Sequence, residues 1–249
     1  NVGAQNAVMK VTAGTHGFTD FNIGEVTNAR GAVYQSGGDM SIGSTGGGIG
    51  VKVGSGATSY GYYKLSGGTL TNANIDFQVG GGTGATGVMD ITGGSVTTGS
   101  WLVLGRNGAG NGLLNITGGS FTSNSNNIAL NWANTAGSIS ILNVGGGAGA
   151  ASVTGVSNAT NYFDVSQSNT TGTTGVANLL SNGTLMVGRV QSSNGGGTAL
   201  FNFNGGTLKA TATNSGATFM TSGNVDAVTV YSGGGTIANN STNITIGNV

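Results

Sequence analysis

The sequence predicts an all-β fold, a single-domain parallel β-helix (β-solenoid) of about nine coils with two to three strands per coil. Three observations carry that expectation: a block of residues recurs, apolar and polar side chains alternate within it, and glycines punctuate it at fixed places. The block GVMDITGGSVTTGSWLVLGRNGAG (Gly87–Gly110) is followed at once by the near copy GLLNITGGSFTSNSNNIAL (Gly112–Leu130). A looser copy, GYYKLSGGTLTNANIDFQVG (Gly61–Gly80), precedes it, and ALFNFNGGTLKA (Ala199–Ala210) echoes it. Met89 and Ile91 are separated by Asp90, and Leu102 and Leu104 lead to Gly105. A period of two means a strand with one face toward a core and the other toward solvent. The Gly93–Gly94 pair supplies the positive-φ conformations of a tight corner without a Cβ penalty. One such coil cannot bury its own apolar side, but stacked copies can, each strand bonding to the coils above and below.

In order along the chain, AVMKVTAG (Ala7–Gly14) matches GVMDITGG, and TDFNIG (Thr19–Gly24) matches IDFQVG (Ile75–Gly80), so coil one lies here. Coil two is AVYQSGGDM followed by IGVKVG ending at Gly54, with an insertion around Ser44–Gly48. Gln35 stands there at an inward position, which requires either a buried amide satisfied by its neighbours or a local shift of register. Coils three to five are the blocks already quoted. In coil six, SISILNVGGGAG supplies Ile139 and Ile141 as the inward pair and YFDVS supplies Phe163 and Val165, after the longest loop of the chain. Coil seven is GVANLLSNGTLMVGR (Gly175–Arg189), with Asn182–Gly183 in place of the glycine pair. Coil eight is LFNFNGGTLKATA, and coil nine, AVTVYSGGGTIANNSTNITIG, closes at Gly247. The corner spacing is about 27 residues, within the solenoid range, and nine coils at roughly 4.8 Å make a rod on the order of 40 Å long. Residues 1–249 read as one repeat domain without linkers or obvious caps.

Composition limits the function classes. The chain has 249 residues with 52 Gly, no Pro and no Cys. Without a G-X-Y period or proline, the glycine content reflects repetition and not collagen or disorder. Seven basic and seven acidic residues leave no net charge, and no basic stripe or polybasic run points to nucleic acid or an anionic membrane. The absence of cysteine removes disulfides and thiolate metal sites, and no apolar run is long enough for a membrane-spanning helix. Low charge also places few electrostatic obstacles to self-association. The chain begins at Asn1 with no apolar signal core, as expected of a processed mature chain or an excerpt.

The ends carry the strongest functional expectation. Neither shows a capping helix or a proline-bearing edge, so both strand edges read as adhesive. The start, VGAQNAVMK, superimposes on NGAGNGLLN (Asn107–Asn115), the loop after a third strand, and the stop, ITIGNV, matches the end of one at Leu104–Gly105. A subunit cut at equivalent points is suited to an open head-to-tail polymer; an excerpt trimmed at repeat boundaries has the same appearance. The expected interface comprises Val8, Met9, Val11, Phe21 and Ile23 on one edge and Val228, Val230, Ile244 and Ile246 on the other. A further apolar column precedes the inward pairs: Val8, Ala32, Tyr62, Val88, Leu113, Val176, Leu200 and Ala227. On an open face it is an association stripe; at a bend it is ordinary core, which is the reading adopted from the sequence.

The corners DITGGSV, NITGGSF, KLSGGTL and NFNGGTL, with the segments LVLGRNGAG and LMVGR, resemble the β-strand repeats of secreted and cell-surface bacterial proteins, including autotransporter passengers. The resemblance spans nearly the whole chain and implies a parallel β-helix outside the cell. The membrane-anchoring β-barrel of an autotransporter has no counterpart in this sequence.

Chemistry is sparse. Lys10, Lys64, Asp90, Asn115, Ser140, Asn178, Asn202 and Thr229 share an outward column in the repeat alignment, with Lys64 and Asp90 adjacent. A carboxylate beside a lysine on a solvated face is ordinarily a weak surface pair. Asp20 and Asp76, two coils apart, read as solvated. His16, in a corner of coil one, has no metal or triad partner in the pattern. The GGGAGA and GGGTGATG loops lack the residues of calcium and phosphate loops and read as turns, so no metal and no cofactor is expected. Trp101 has outward parity; it suits sugar stacking, though packing on a neighbouring coil is the stronger reading. The expected function is a structural protein, an extracellular filament subunit whose partner is itself. The second is an adhesin passenger-type binding module that recognises glycans or host or matrix surfaces, with extracellular polysaccharide as a further partner, and the third a polysaccharide lyase or hydrolase, for which Asp90→Asn is the test; no catalytic residue is assigned.

Overall fold

The computed structural model describes residues 6–43, 50–73, 75–132, 135–155, 162–211, 218–220 and 225–247. Every coil contributes three strands, and the strands stack into three parallel nine-stranded sheets, one strand per coil in each. Coil one consists of Asn6–Val11, Thr15–Phe18 and Phe21–Ile23, and coil four of Thr86–Ile91, Ser95–Thr98 and Leu102–Arg106. The all-β parallel solenoid expected from the repeats is therefore the fold, with three strands in each of nine coils. His16 falls within the second strand of coil one and not in its corner; its Nε2 lies 3.0 Å from the Ala13 carbonyl oxygen.

The core is a set of columns running up the axis. Met89 of coil four stands between Tyr63 and Leu114, and Ile91 between Leu65 and Ile116, all of them buried. Fully burying one such side chain is worth about 1.5–3 kcal/mol, and the columns repeat this in every coil. Gln35 keeps the common register, paired with Val11 and Leu65. It is 1% exposed and satisfied: Nε2 donates to the carbonyls of Gly38 (3.0 Å) and Thr69 (2.9 Å), and Oε1 accepts from the Tyr63 hydroxyl. Of the two possibilities the sequence left open, the chain takes the buried amide.

The corner between the first two strands needs glycine for a definite reason. Gly94 has φ +77°, and a Cβ there would lie 2.5 Å from the Gly68 carbonyl oxygen directly beneath. The stacked corners are bonded to each other, Ser95 N to Gly68 O at 3.1 Å and Ser120 N to Gly94 O at 3.1 Å. Asn182, at φ +60°, fills the same role in coil seven.

Coil six corrects the expected register. Its first strand pairs Gly112 with Ser140, Leu113 with Ile141 and Leu114 with Leu142. Leu142 and Val144 point inward, whereas Ile139 is 49% exposed and Ile141 is half-buried on the outer face. Both parities of SISILNV are apolar, so alternation alone cannot choose between them; stacking on Leu114 and Ile116 does. Phe163 and Val165 are buried as expected. The third strand of coil eight, Thr218–Met220, has no counterpart in the repeat alignment. The expected insertion around Ser44–Gly48 lies outside the described residues.

Candidate functional site

The outer face of the first sheet carries two columns side by side. The first is apolar and runs Val8, Ala32, Tyr62, Val88, Leu113, Ile141, Val176, Leu200 and Ala227. All but Ala227, the first residue of its strand, lie inside a strand; they are half-buried or exposed, and Val8 is 67% exposed. The column is thus an open stripe and not the interior of a bend, because its members have the parity opposite to that of the core pairs.

The second column, two residues on, is polar, and coil six contributes Asn143 to it. Ser140, expected here, instead occupies the tight position held by Gly87 and Gly112 in coils four and five, fully buried, with its hydroxyl donating to the Leu104 carbonyl at 2.9 Å. With Asn143 in place, four side-chain amides form a continuous ladder. Nδ2 of Asn202 donates to Oδ1 of Asn178 (2.8 Å), Asn178 to Asn143 (2.7 Å), Asn143 to Asn115 (2.7 Å), and Asn115 to the Asp90 carboxylate (2.7 Å). The other Asp90 oxygen accepts from the Tyr62 hydroxyl at 2.7 Å. Burial, then that bond and the carboxylate charge, push the Tyr62 phenol well above its ordinary pKa. Lys64 is the strand partner of Asp90, whose two carboxylate oxygens accept from Tyr62 and Asn115.

The ion pair among the described residues is on the third sheet, between Arg106 and Asp76. Asp76 also accepts from Ser100 Oγ at 3.0 Å and is 20% exposed, so it is engaged where a solvated side chain was expected. Beside it, Trp101 of coil four packs on Trp132 of coil five with ring centroids 4.9 Å apart and a 40° tilt, and the Arg106 guanidinium lies 4.4 Å over the Trp132 ring. Both indoles are half-buried. Val103 and Ala129 have outward parity on this sheet yet are fully buried.

Further along the same sheet, Asp164 is fully buried, and burial pushes its carboxyl up to about 6. Its Oδ1 accepts from the Ser193 amide at 3.1 Å, its Oδ2 from the Ser193 hydroxyl, and the Arg189 charge also favours ionisation. Sequence reasoning missed Asp164 because DVS reads as one more strand end. Among the described residues no group of three or more His, Cys, Asp or Glu gathers to hold a metal, and no helix is long and apolar enough to cross a membrane.

The two end coils differ. In coil one Met9 is half-buried, while Val11 (3%), Phe21 (1%) and Ile23 (0%) are enclosed. In coil nine Val228 and Ile244 are half-buried against the core, while Val230 (64%), Tyr231 (52%), Ile237 (43%) and Ile246 (38%) are exposed. Val230, Ile237, Phe203 and Gly235 line a small apolar hollow there, of about 80 Å³. No family model, curated protein or solved structure matches the chain.

Proposed function

We propose that the chain is a non-enzymatic structural protein, a β-solenoid rod that joins copies of itself end to end into an extracellular filament. The observation that carries this reading is the outer face of coil nine. Its strands Ala227–Val230, Thr236–Ala238 and Thr245–Ile246 are each bonded along one edge only, and they surround exposed Val230, Tyr231, Ile237 and Ile246. An unpaired parallel edge with an open apolar interior invites addition of another strand. The first sheet keeps one register into coil nine, although the third sheet has a bulge at Thr218–Met220, so a coil one placed on coil nine sets Met9 beside Val228 and Val11 beside Val230, as Phe201 and Phe203 stand beside them on the other side. Such a contact is heterologous and does not close, so it propagates. The near absence of charge and the open apolar stripe on the first sheet favour the same outcome.

Sedimentation velocity with negative-stain microscopy tests the proposal. The wild-type chain is expected to form concentration-dependent fibres far longer than one rod, and the Val230→Lys/Ile237→Lys variant to remain monomeric with an unchanged β-sheet circular dichroism spectrum. Both positions are exposed, so the charges do not enter the core. Single rods of about 40 Å at every concentration, or fibres that persist in the variant, overturn it.

A further inference from the structure

The side wall carries a second feature, independent of the ends. Between coils four and seven, the amide ladder borders a hollow of about 400 Å³. Asp90, Asn115 and Asn143 form one wall, Thr92 and Thr117 the other, and Leu180 closes the end. The hollow exists because coil six has Gly145–Gly146 at its corner, where coils four and five present Thr92 and Thr117. Those glycines have φ +101° and +81°, and a Cβ on Gly145 would lie 2.5 Å from the Leu180 carbonyl oxygen. The backbone itself therefore keeps the floor bare.

We propose that this hollow is a binding subsite for a neutral polysaccharide chain lying along the solenoid axis. The chemistry of the wall selects the ligand. A carboxylate can only accept, so Asp90 forces Asn115 to donate to it, Asn143 to donate to Asn115, and so on up the ladder. Every amide is thereby held in one orientation, with one N–H and one carbonyl lone pair still free at each step of roughly 4.8 Å. A row of fixed, alternating donors and acceptors matches a ligand whose hydroxyl groups both donate and accept, repeated along a chain. Apolar surface flanks the row: Leu180 at one end, and beyond Asp90 the Tyr62 and Tyr34 rings, edge to face at 5.7 Å. Pyranose rings present C–H faces to such surfaces and hydroxyl edges to the amides. The charge among the lining residues is the Asp90 carboxylate, while Lys64 stands outside the lining, between Asp90 and Tyr34 in the column, so the hollow itself disfavours a uronate unit.

Affinity electrophoresis through native gels cast with dextran, hydroxyethylcellulose or galactomannan, against a plain gel and a polygalacturonate gel, tests the proposal. Retardation is expected in at least one neutral gel. Leu180→Trp, which fills the hollow without removing a hydrogen bond, and Asn143→Ala are each expected to weaken it at least ten-fold, while Trp101→Ala on the third sheet leaves it unchanged. Circular dichroism checks that the variants fold, and self-assembly cancels because it acts equally in the plain gel. No retardation in any neutral gel, retardation by polygalacturonate alone, or retardation that survives both hollow variants overturns the proposal.

Discussion

Asp164 is the residue whose burial has the most direct thermodynamic consequence. Its carboxyl sits at about 6 in the folded chain because burial outweighs the Ser193 bonds and the Arg189 charge, whereas an unfolded aspartate titrates near 3.9. Between those values the native state binds more protons than the unfolded state, so stability falls as pH rises through that window. The contribution is fully present below about pH 4 and lost above about pH 6, up to about 3 kcal/mol. Thermal melts of the wild type and Asp164→Asn from pH 4 to 7 measure it: the wild type is expected to lose melting temperature relative to the variant as pH rises. Parallel curves would mean that burial does not raise the Asp164 carboxyl above its unfolded value. Gln35 makes the opposite point, since its buried amide is uncharged and fully partnered, and the sequence could flag it without saying which partner would come. That partner, Tyr63, belongs to the next coil.

At the scale of the element, the corner glycines and the strands that flank them carry the architecture, and they were readable because both are local signals. Gly94 is expected to be intolerant: alanine at φ +77° costs about 1–2 kcal/mol from the backbone alone, and its Cβ meets the Gly68 carbonyl at 2.5 Å. Gly17, in the second strand of coil one, has no positive φ, and an added methyl group would meet nothing within 4 Å. Urea midpoints should therefore drop clearly for Gly94→Ala and barely move for Gly17→Ala; equal losses would remove the stacking explanation of the corners. What local signals could not supply was register where both parities are apolar. The strand Ile139–Val144 reads equally well either way, and the inverted choice put Ser140 into the polar column and left Asn143 out. That single displacement broke the amide row in the sequence alignment, so the ladder, and the hollow beside it, became visible only once the strands were paired. The apolar stripe was misassigned for a related reason, because composition does not tell which side of a strand lies at a bend.

For the whole molecule, the common register of the first sheet from coil one to coil nine makes the structure nearly one-dimensional, with each coil held chiefly by its two neighbours. Removing residues 87–111 joins Thr86 to Gly112, two positions that neighbour each other's equivalents in the pairing of Thr86 with Asn111 and Gly87 with Gly112. Coil three would then meet coil five with Tyr63 beside Leu114 and Leu65 beside Ile116, contacts of the same kind as those it loses. The shortened chain is expected to fold, with its β-sheet spectrum intact, a lower melting temperature, and a rod shorter by roughly 4.8 Å in small-angle scattering. Loss of the β signal would show that the coils are not interchangeable. The same deletion removes Asp90, and with it the acceptor that orients the ladder, so Asn115 would face Lys64 instead. An intact but shorter rod that no longer slows in neutral polysaccharide gels would separate the two properties, since the deletion takes Asp90 and Thr92 out of the hollow's walls and leaves the stacking of the coils: the repeat sets the scaffold, and the residues of one coil set what its side wall can hold.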